Sequence, residues 1–268
     1  MTRKVYVAPA VYTLLLMVPI YWLIIMSFKT NAEIGGGLTL IPEAPTLANY
    51  RVIWSDPSWY LGYVNAAIYA AMNVAIAIVV AVPAAYAFSR YRFFGDRILF
   101  FWFLSFRMIA PPILLVPFVQ IFSDLDMIDT HIAVAIAHCF FNVPIAIWIL
   151  EGFMSAVPRE LDDIARIDGY GIGRFFFQIL LPQIAPGIAA TAFFCFTFSW
   201  VEFLLANALT TIDAKPIAGI MTRAGGVLSA DLALLSAASV LTLVPGVVLI
   251  YFVRNHLAQG LSMGRQGN

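Results

Sequence analysis

Charge is what this sequence has least of. Only 11% of its 268 residues are Asp, Glu, Lys or Arg, against 62% hydrophobic, and its mean hydropathy is +0.89. A soluble domain carries about a quarter charged residues. With less than half of that, this chain would expose large apolar surface in water. Lysine is almost missing, with Lys4, Lys29 and Lys215 alone. None of the three ends a glycine-rich turn, so there is no G-x-x-x-x-G-K-[ST] loop and no P-loop ATP site. Fifteen bases balance fifteen acids and lie scattered, which excludes the basic face that nucleic acid requires. Cys139 and Cys195 sit in apolar runs and form no CxxC. Neither a disulfide framework nor a zinc site is indicated, and both cysteines read as small buried hydrophobes. No cluster has metal-ligand spacing, and no Ser/His/Asp or Cys/His pairing looks catalytic.

What the chain does have is long apolar runs. A bilayer core needs about 20 apolar residues per helix, and six runs meet this: residues 5–28, 62–88, 98–122, 131–150, 184–209 and 232–253. The first is too long for a signal-peptide core and lacks a small-residue cleavage site, so it reads as a retained span. The fold class is therefore all-α and integral to a membrane, with residues 1–268 as one transmembrane domain. Bases accumulate on the cytoplasmic side. With the N-terminus inside, ten bases (Arg3, Lys4, Arg90, Arg92, Arg97, Arg159, Arg166, Arg174, Arg254, Arg265) lie inside and four (Lys29, Arg51, Lys215, Arg223) outside. Both termini are expected to be cytoplasmic. Tyr50, Trp54, Trp59 and Tyr60 in the first outer loop fit an interfacial aromatic belt.

The inner segment 151–183 holds eight charges. Pro158 suits a helix start, Glu160, Asp162 and Asp163 oppose the helix dipole, and Gly169 suits a helix end. The i, i+3, i+4, i+7 spacing puts Leu161, Ile164, Ala165 and Asp168 on one side, with Arg159, Asp162 and Arg166 elsewhere. A second short helix is expected near Gly173, packing Phe175, Phe176, Ile179 and Leu180 back before Pro182. A helix resting on anionic headgroups would be basic, so this acidic one reads as a helix that enters a groove on a partner.

Ionisable and polar groups inside apolar runs face a cavity or a partner. Glu202 shares a face with Thr191, Cys195 and Ser199, and His138 and Asn142 lie one turn apart. Asn73 is polar within the second run, and Trp200 offers a face to a sugar ring. These residues, Glu202, Ser199, Asn142, His138, Asn73 and Trp200, are the candidate substrate path. Structural hydrogen bonding is the competing role for Glu202 and His138. Arg107 interrupts the third run, where snorkelling or pairing with an acid accounts for it.

Asp163-Ile164-Ala165, three residues, Gly169, nine residues, then Ile179-x-Leu181-Pro182 resembles the EAA loop of binding-protein-dependent ABC importer permeases, with Asp163 for the usual Glu and Ile164 for the first Ala. The stretches Thr46-Leu47-Ala48-Asn49-Tyr50 and Ser199-Trp200-Val201-Glu202-Phe203, with Val201 in place of the usual Asn, are similar to the maltose-type carbohydrate permeases. The resemblance implies a type I importer permease of six spans with a cytoplasmic coupling helix. It implies that Glu160, Asp163, Ile164, Ala165, Arg166, Asp168, Gly169 and Pro182 dock on an ATPase. No cofactor is expected on this chain; ATP and Mg would be used by the partner. The implied partners are a second permease, two ATPase subunits and an extracytoplasmic solute-binding protein, in a bacterial inner membrane. The solute would be a sugar, polyol or related small polar molecule. An ion-gradient-driven secondary carrier is the alternative; it calls for inverted repeats, and none is visible.

Overall fold

A backbone in hydrocarbon must satisfy its own N–H and C=O groups, and helices do this within one segment. The computed structural model describes residues 7–226 and 231–263, and every regular element among them is helical. Val5, where the first run was expected to begin, and the bases Arg3, Lys4 and Arg265 lie outside the described residues. In chain order the helices are α1 (Val7–Ser27), α2 (Asn31–Gly35), α3 (Ala48–Ser55), α4 (Pro57–Arg90), α5 (Asp96–Phe106), α6 (Pro111–Asp124) and α7 (His131–Ser155). They continue as α8 (Glu160–Ile167), α9 (Ile172–Phe175), a π-turn (Phe176–Leu180), α10 (Leu181–Gln183), α11 (Ala185–Val201), α12 (Leu204–Leu209), α13 (Ile217–Ala224) and α14 (Leu232–Met263).

Four helices are long and apolar enough to cross a membrane, or up to six if each of two bent pairs is one span. The third run, 98–122, is not continuous. It breaks between α5 and α6 with a bend of 91°, because Pro111 and Pro112 lack the N–H groups that would carry the helix through, and they start α6 instead. The second bent pair joins Ile172–Gln183 to Ala185–Val201 at 74°; separately, the fifth run, 184–209, divides, ending α11 at Val201 and resuming as α12 at Leu204. The second run begins earlier than expected, at Pro57, and the first outer loop contains α2 and α3 rather than irregular chain alone.

The described residues form two compact units. The first joins those up to Tyr63 with those of Ile217–Val247. Here the Asn49 side-chain amide donates to the carbonyls of Ser27 and Lys29 at 2.9 and 3.0 Å, and the Tyr50 hydroxyl meets Ser27 Oγ at 2.7 Å. These contacts tie α3 to the end of α1. Lys29, 2% exposed, donates its Nζ to the Thr39 carbonyl at 2.6 Å and lies 3.8 Å from Glu33 and 5.6 Å from the Trp22 ring centre. Trp59 is buried and Trp54 exposed, so the aromatic stretch divides between packing and surface.

The second unit contains Val64–Pro216. Its core runs through Ala77, Ala81, Ala85, Ala146, Leu150, Met154, Ala165, Phe175 and Ile184. Small residues let helix backbones approach closely where no hydrophobic drive separates lipid from protein. Cys195 belongs to this core, whereas Cys139 is only partly buried; both are free thiols.

One knot in this unit has no counterpart in the sequence reading. Asp129 adopts φ 65°, and its carboxylate accepts from the backbone N–H groups of Thr211, Ile212, Asp213 and Ala214 at 2.9–3.1 Å, and from Thr211 Oγ1 at 2.6 Å. Burial raises its pKa, but the Thr211 hydroxyl and the amides outweigh burial and hold the carboxyl well below the usual carboxylate range. A depressed folded pKa contributes stability above the unfolded value of about 4, and that contribution is lost as pH falls through the folded value. Asp129→Ala is expected to destabilise the protein by roughly 1–3 kcal/mol at pH 7. The gap from the native protein should narrow below about pH 4, where the unfolded chain's Asp129 takes up a proton that the native carboxylate still refuses. Thermal unfolding in detergent at pH 7 and pH 3 measures both, and a gap independent of pH would overturn the assignment.

Candidate functional site

Breaking a helix inside an apolar run frees backbone donors, and Glu202 sits at such a break. It is the C-cap of α11, its N–H donating to the Phe198 carbonyl at 2.9 Å. Its carboxylate then turns onto the start of α12, accepting from the N–H groups of Leu204, Leu205 and Ala206 at 2.8–3.1 Å. Negative charge is favoured at a helix N-terminus. The remaining partner is His138, whose Nε2 lies 3.0 Å from Glu202 Oε2. His138 Nδ1 lies 2.7 Å from Ser199 Oγ. With the carboxylate as acceptor, the network places the imidazole proton on Nε2 and has the Ser199 hydroxyl donate to Nδ1. His138 and Ser199 are fully buried and Glu202 is 8% exposed.

One turn along α7, Asn142 Nδ2 donates to Asn73 Oδ1 at 2.6 Å and to the Cys195 carbonyl at 3.1 Å. Asn73 Nδ2 donates onward to the Ala135 carbonyl at 2.9 Å. The structure therefore brings five of the six candidate path residues onto the seam of α4, α7 and α11. Glu202, His138, Ser199, Asn73 and Asn142 pin these helices to one another. Trp200 is buried and stacks on Phe196 at 5.6 Å with the rings 14° apart, so one face is already covered. Two buried polar atoms on the same helices have no hydrogen-bond partner, Asn142 Oδ1 and Thr197 Oγ1. Thr197 was missed because a threonine in an apolar helix ordinarily bonds back to its own backbone.

The inner segment is organised differently from its periodicity. Ala165 is buried and Leu161 packs on the core, but Ile164 and Ile167 are 58% and 85% exposed. Asp162, expected to point away, is the residue that turns inward. Its carboxylate lies 3.0 Å from Arg90 Nε, an ion pair off the axis of a hydrogen bond, and it accepts from the Tyr86 hydroxyl at 3.1 Å. Arg90 donates from Nη1 and Nη2 to the carbonyls of Met154 and Val157, each at 3.1 Å. Arg159 donates to the Ser89 carbonyl at 2.8 Å. Thus α8 is fastened to the ends of α4 and α7, while Asp163, Ile164, Arg166, Ile167 and Asp168 remain exposed. Gly169 follows at φ +78°, and the expected second helix is the α9, π-turn and α10 run, with Phe175 and Leu180 buried. Arg90 was not singled out because nothing in the sequence separates it from Arg92 and Arg97.

Beside α9 lies a hollow of about 610 Å³ lined by Ile78, Val79, Pro83, Phe176, Phe177 and Ile188 among others. Its walls are almost wholly apolar, which does not suit a hydroxylated solute. Among the described residues no group of three His, Cys, Asp or Glu could hold a metal ion.

Residues 73–263 match the family described as "Binding-protein-dependent transport system inner membrane component". The chain is 30% identical over 250 residues to the sulfoquinovosyl glycerol transport system permease protein SmoH of Agrobacterium fabrum, covering 92% of this chain and 87% of that protein. It is 29% identical over 257 residues to the diacetylchitobiose uptake system permease protein NgcG of Streptomyces coelicolor, covering 94% and 85%. Its fold is similar to a chain of the crystal structure of a bacterial ABC transporter involved in the import of the acidic polysaccharide alginate. That match has a TM-score of 0.78 at 20% identity and covers 95% of this chain and 98% of the other.

If Glu202 holds the α11–α12 break, Glu202→Ala should destabilise the protein by about 3–5 kcal/mol, because it strips His138 and the α12 amides of their acceptor at once. Glu202→Gln keeps an acceptor oxygen and should lose less. Thermal unfolding of both variants in detergent decides this, and equal losses would contradict the capping role.

Proposed function

This chain belongs to the family of binding-protein-dependent transport system inner membrane components, and on that premise we propose that it moves a sugar, polyol or related small polar solute delivered by a binding protein. It is a multi-pass permease subunit of an ABC importer, a transport protein rather than an enzyme. The family displaces the ion-gradient-driven carrier. The saccharide class is supported by the relatives named for sulfoquinovosyl glycerol and diacetylchitobiose and by the structural neighbour described as an alginate importer. In our reading α5 and α6 together make one crossing and α11 makes another, giving six spans with both termini on the cytoplasmic side of a bacterial inner membrane, in one permease domain. A second permease completes the path.

The observation that carries the mechanism is the fastening of α8. One face is held by Arg90, Tyr86 and the core, and the opposite face presents Asp163, Ile164, Arg166, Ile167 and Asp168. We infer that this face enters a groove on an ATPase subunit, with Glu160, Ala165, Gly169 and Pro182 shaping the segment. Two such ATPases would bind ATP and Mg, since this chain lacks the phosphate loop. When they close, displacement of α8 would pass through Asp162 to Arg90, and from there to the ends of α4 and α7. A rigid chain of ion pair and hydrogen bonds is a physical route for such coupling. Alternation between inward-open and outward-open states would follow.

Two outcomes test this. Gly169→Val forces a β-branched residue into a left-handed backbone and should cut ATP-driven uptake at least tenfold in proteoliposomes while ATP hydrolysis by the assembled importer continues. Unchanged uptake would count heavily against α8 as the docking element. Arg90→Ala leaves Asp162 unpaired where it is mostly buried, and should lower stability by about 3–5 kcal/mol. Thermal unfolding measures it, and a change below about 1 kcal/mol, the usual worth of an exposed pair, would refute the clamp.

A further inference from the structure

An arginine within an apolar run is costly unless it snorkels to the interface or meets a cavity, a carbonyl or an anion. Arg107 lies in the third run, at the C-cap of α5, where the backbone bends 91° into α6. Its guanidinium sits over the Phe198 ring at 4.3 Å. Among the described residues no carboxylate pairs with it and no acceptor takes its side-chain N–H groups. Across residues 62–88, 98–122, 131–150 and 184–209 the only acid is Glu202, and that carboxylate is already occupied by His138 and the amides of α12. The chain therefore keeps a cation inside its apolar segment without supplying the counter-charge.

The contact with Phe198 takes up none of the guanidinium's N–H groups, and these form the fork that grips an oxyanion in two places. A second observation points the same way. Asn142 Oδ1 and Thr197 Oγ1, both buried and without partners, lie on α7 and α11 in this unit. Thr197 immediately precedes Phe198, and Asn142 donates to the carbonyl of Cys195, which lies within electrostatic reach of Arg107. Unpartnered acceptors on α7 and α11, the two helices that Phe106 and Arg107 meet through Phe140 and Phe198, suit a molecule that has hydroxyls and a negative charge.

We propose that Arg107 is the residue of the translocation path that selects charge, and that the solute is a saccharide carrying an oxyanion, a carboxylate or a sulfonate. This rests on the permease reading above. The test uses the assembled importer in proteoliposomes, with its binding protein supplied. Glucose, glucuronate and 6-deoxy-6-sulfoglucose, singly and as disaccharides, serve as probes, and ATP-dependent uptake is measured. Native protein should take up an acidic probe in preference to the neutral one, with the carboxylate and sulfonate arms distinguishing the two anions. Arg107→Gln should reduce acidic uptake relative to neutral uptake by about tenfold or more, the scale of one lost charge-assisted contact. Arg107→Lys, which keeps the charge, should retain much of that preference, and gel filtration verifies that both variants assemble. Preference of the native importer for glucose, or equal loss of acidic and neutral uptake in Arg107→Gln, overturns the proposal while leaving the permease reading intact. Absence of ATP-dependent uptake of every probe and of any other saccharide would instead defeat the permease reading.

Discussion

Backbone groups set free inside an apolar segment have no water to turn to, and each left unsatisfied is costly. The fold of the second unit depends on how that demand is met at the end of α11. There the helix stops at Val201, and one carboxylate serves the first amides of α12 and the imidazole of α7 together. A neutral acceptor at position 202 would satisfy amides but would not hold the imidazole as firmly, since charged hydrogen bonds are roughly twice as strong as neutral ones. The break, the burial of His138 and the register of α7 against α11 thus share one cause.

The same demand is met from the opposite side at the end of α7. Helix C-termini leave carbonyls short of donors, and Arg90 donates to Met154 in the last turn of α7 and to Val157 just beyond its end. Its Nε faces Asp162 of α8, so the group that terminates one helix also fastens the next. A guanidinium suits this task better than an ammonium because its donors have a fixed planar spread. The consequence is mechanical: α8 cannot be displaced without disturbing the ends of α4 and α7.

The long helices were legible because hydropathy over twenty residues is a strong signal. Their interruptions were not. Averaging over such a window conceals breaks of four and two residues, and both Arg107 and Glu202 were assigned to the interiors of runs whose helices in fact end beside them. The inward face of α8 was misread for a related reason. Periodicity grouped Ile164 with Leu161 and Ala165, but a partner cation on α4 outweighs one isoleucine and draws Asp162 inward instead. Which base would find that acid is a matter of tertiary geometry, and three arginines in one turn looked alike. Asp129 shows the limit from another side: five donors converge on it from residues more than eighty positions away. The polar residues of the seam were identified by type, since side chains of that kind are rare in apolar runs, but not by the bonds that use them.

Those bonds bear on how a polar solute could cross. Most of the polar atoms on the seam are bonded to other atoms of the same chain, and Trp200 is stacked on Phe196. A sugar moving through such a path needs donors and acceptors for each hydroxyl it withdraws from water, because unpaired polar groups are penalised on both solute and protein. Asn142 Oδ1, Thr197 Oγ1 and the guanidinium of Arg107 are too few to serve a whole saccharide. The shortfall is what a path shared between two permeases would show, each chain contributing part of the polar lining and spending the rest on its own helices.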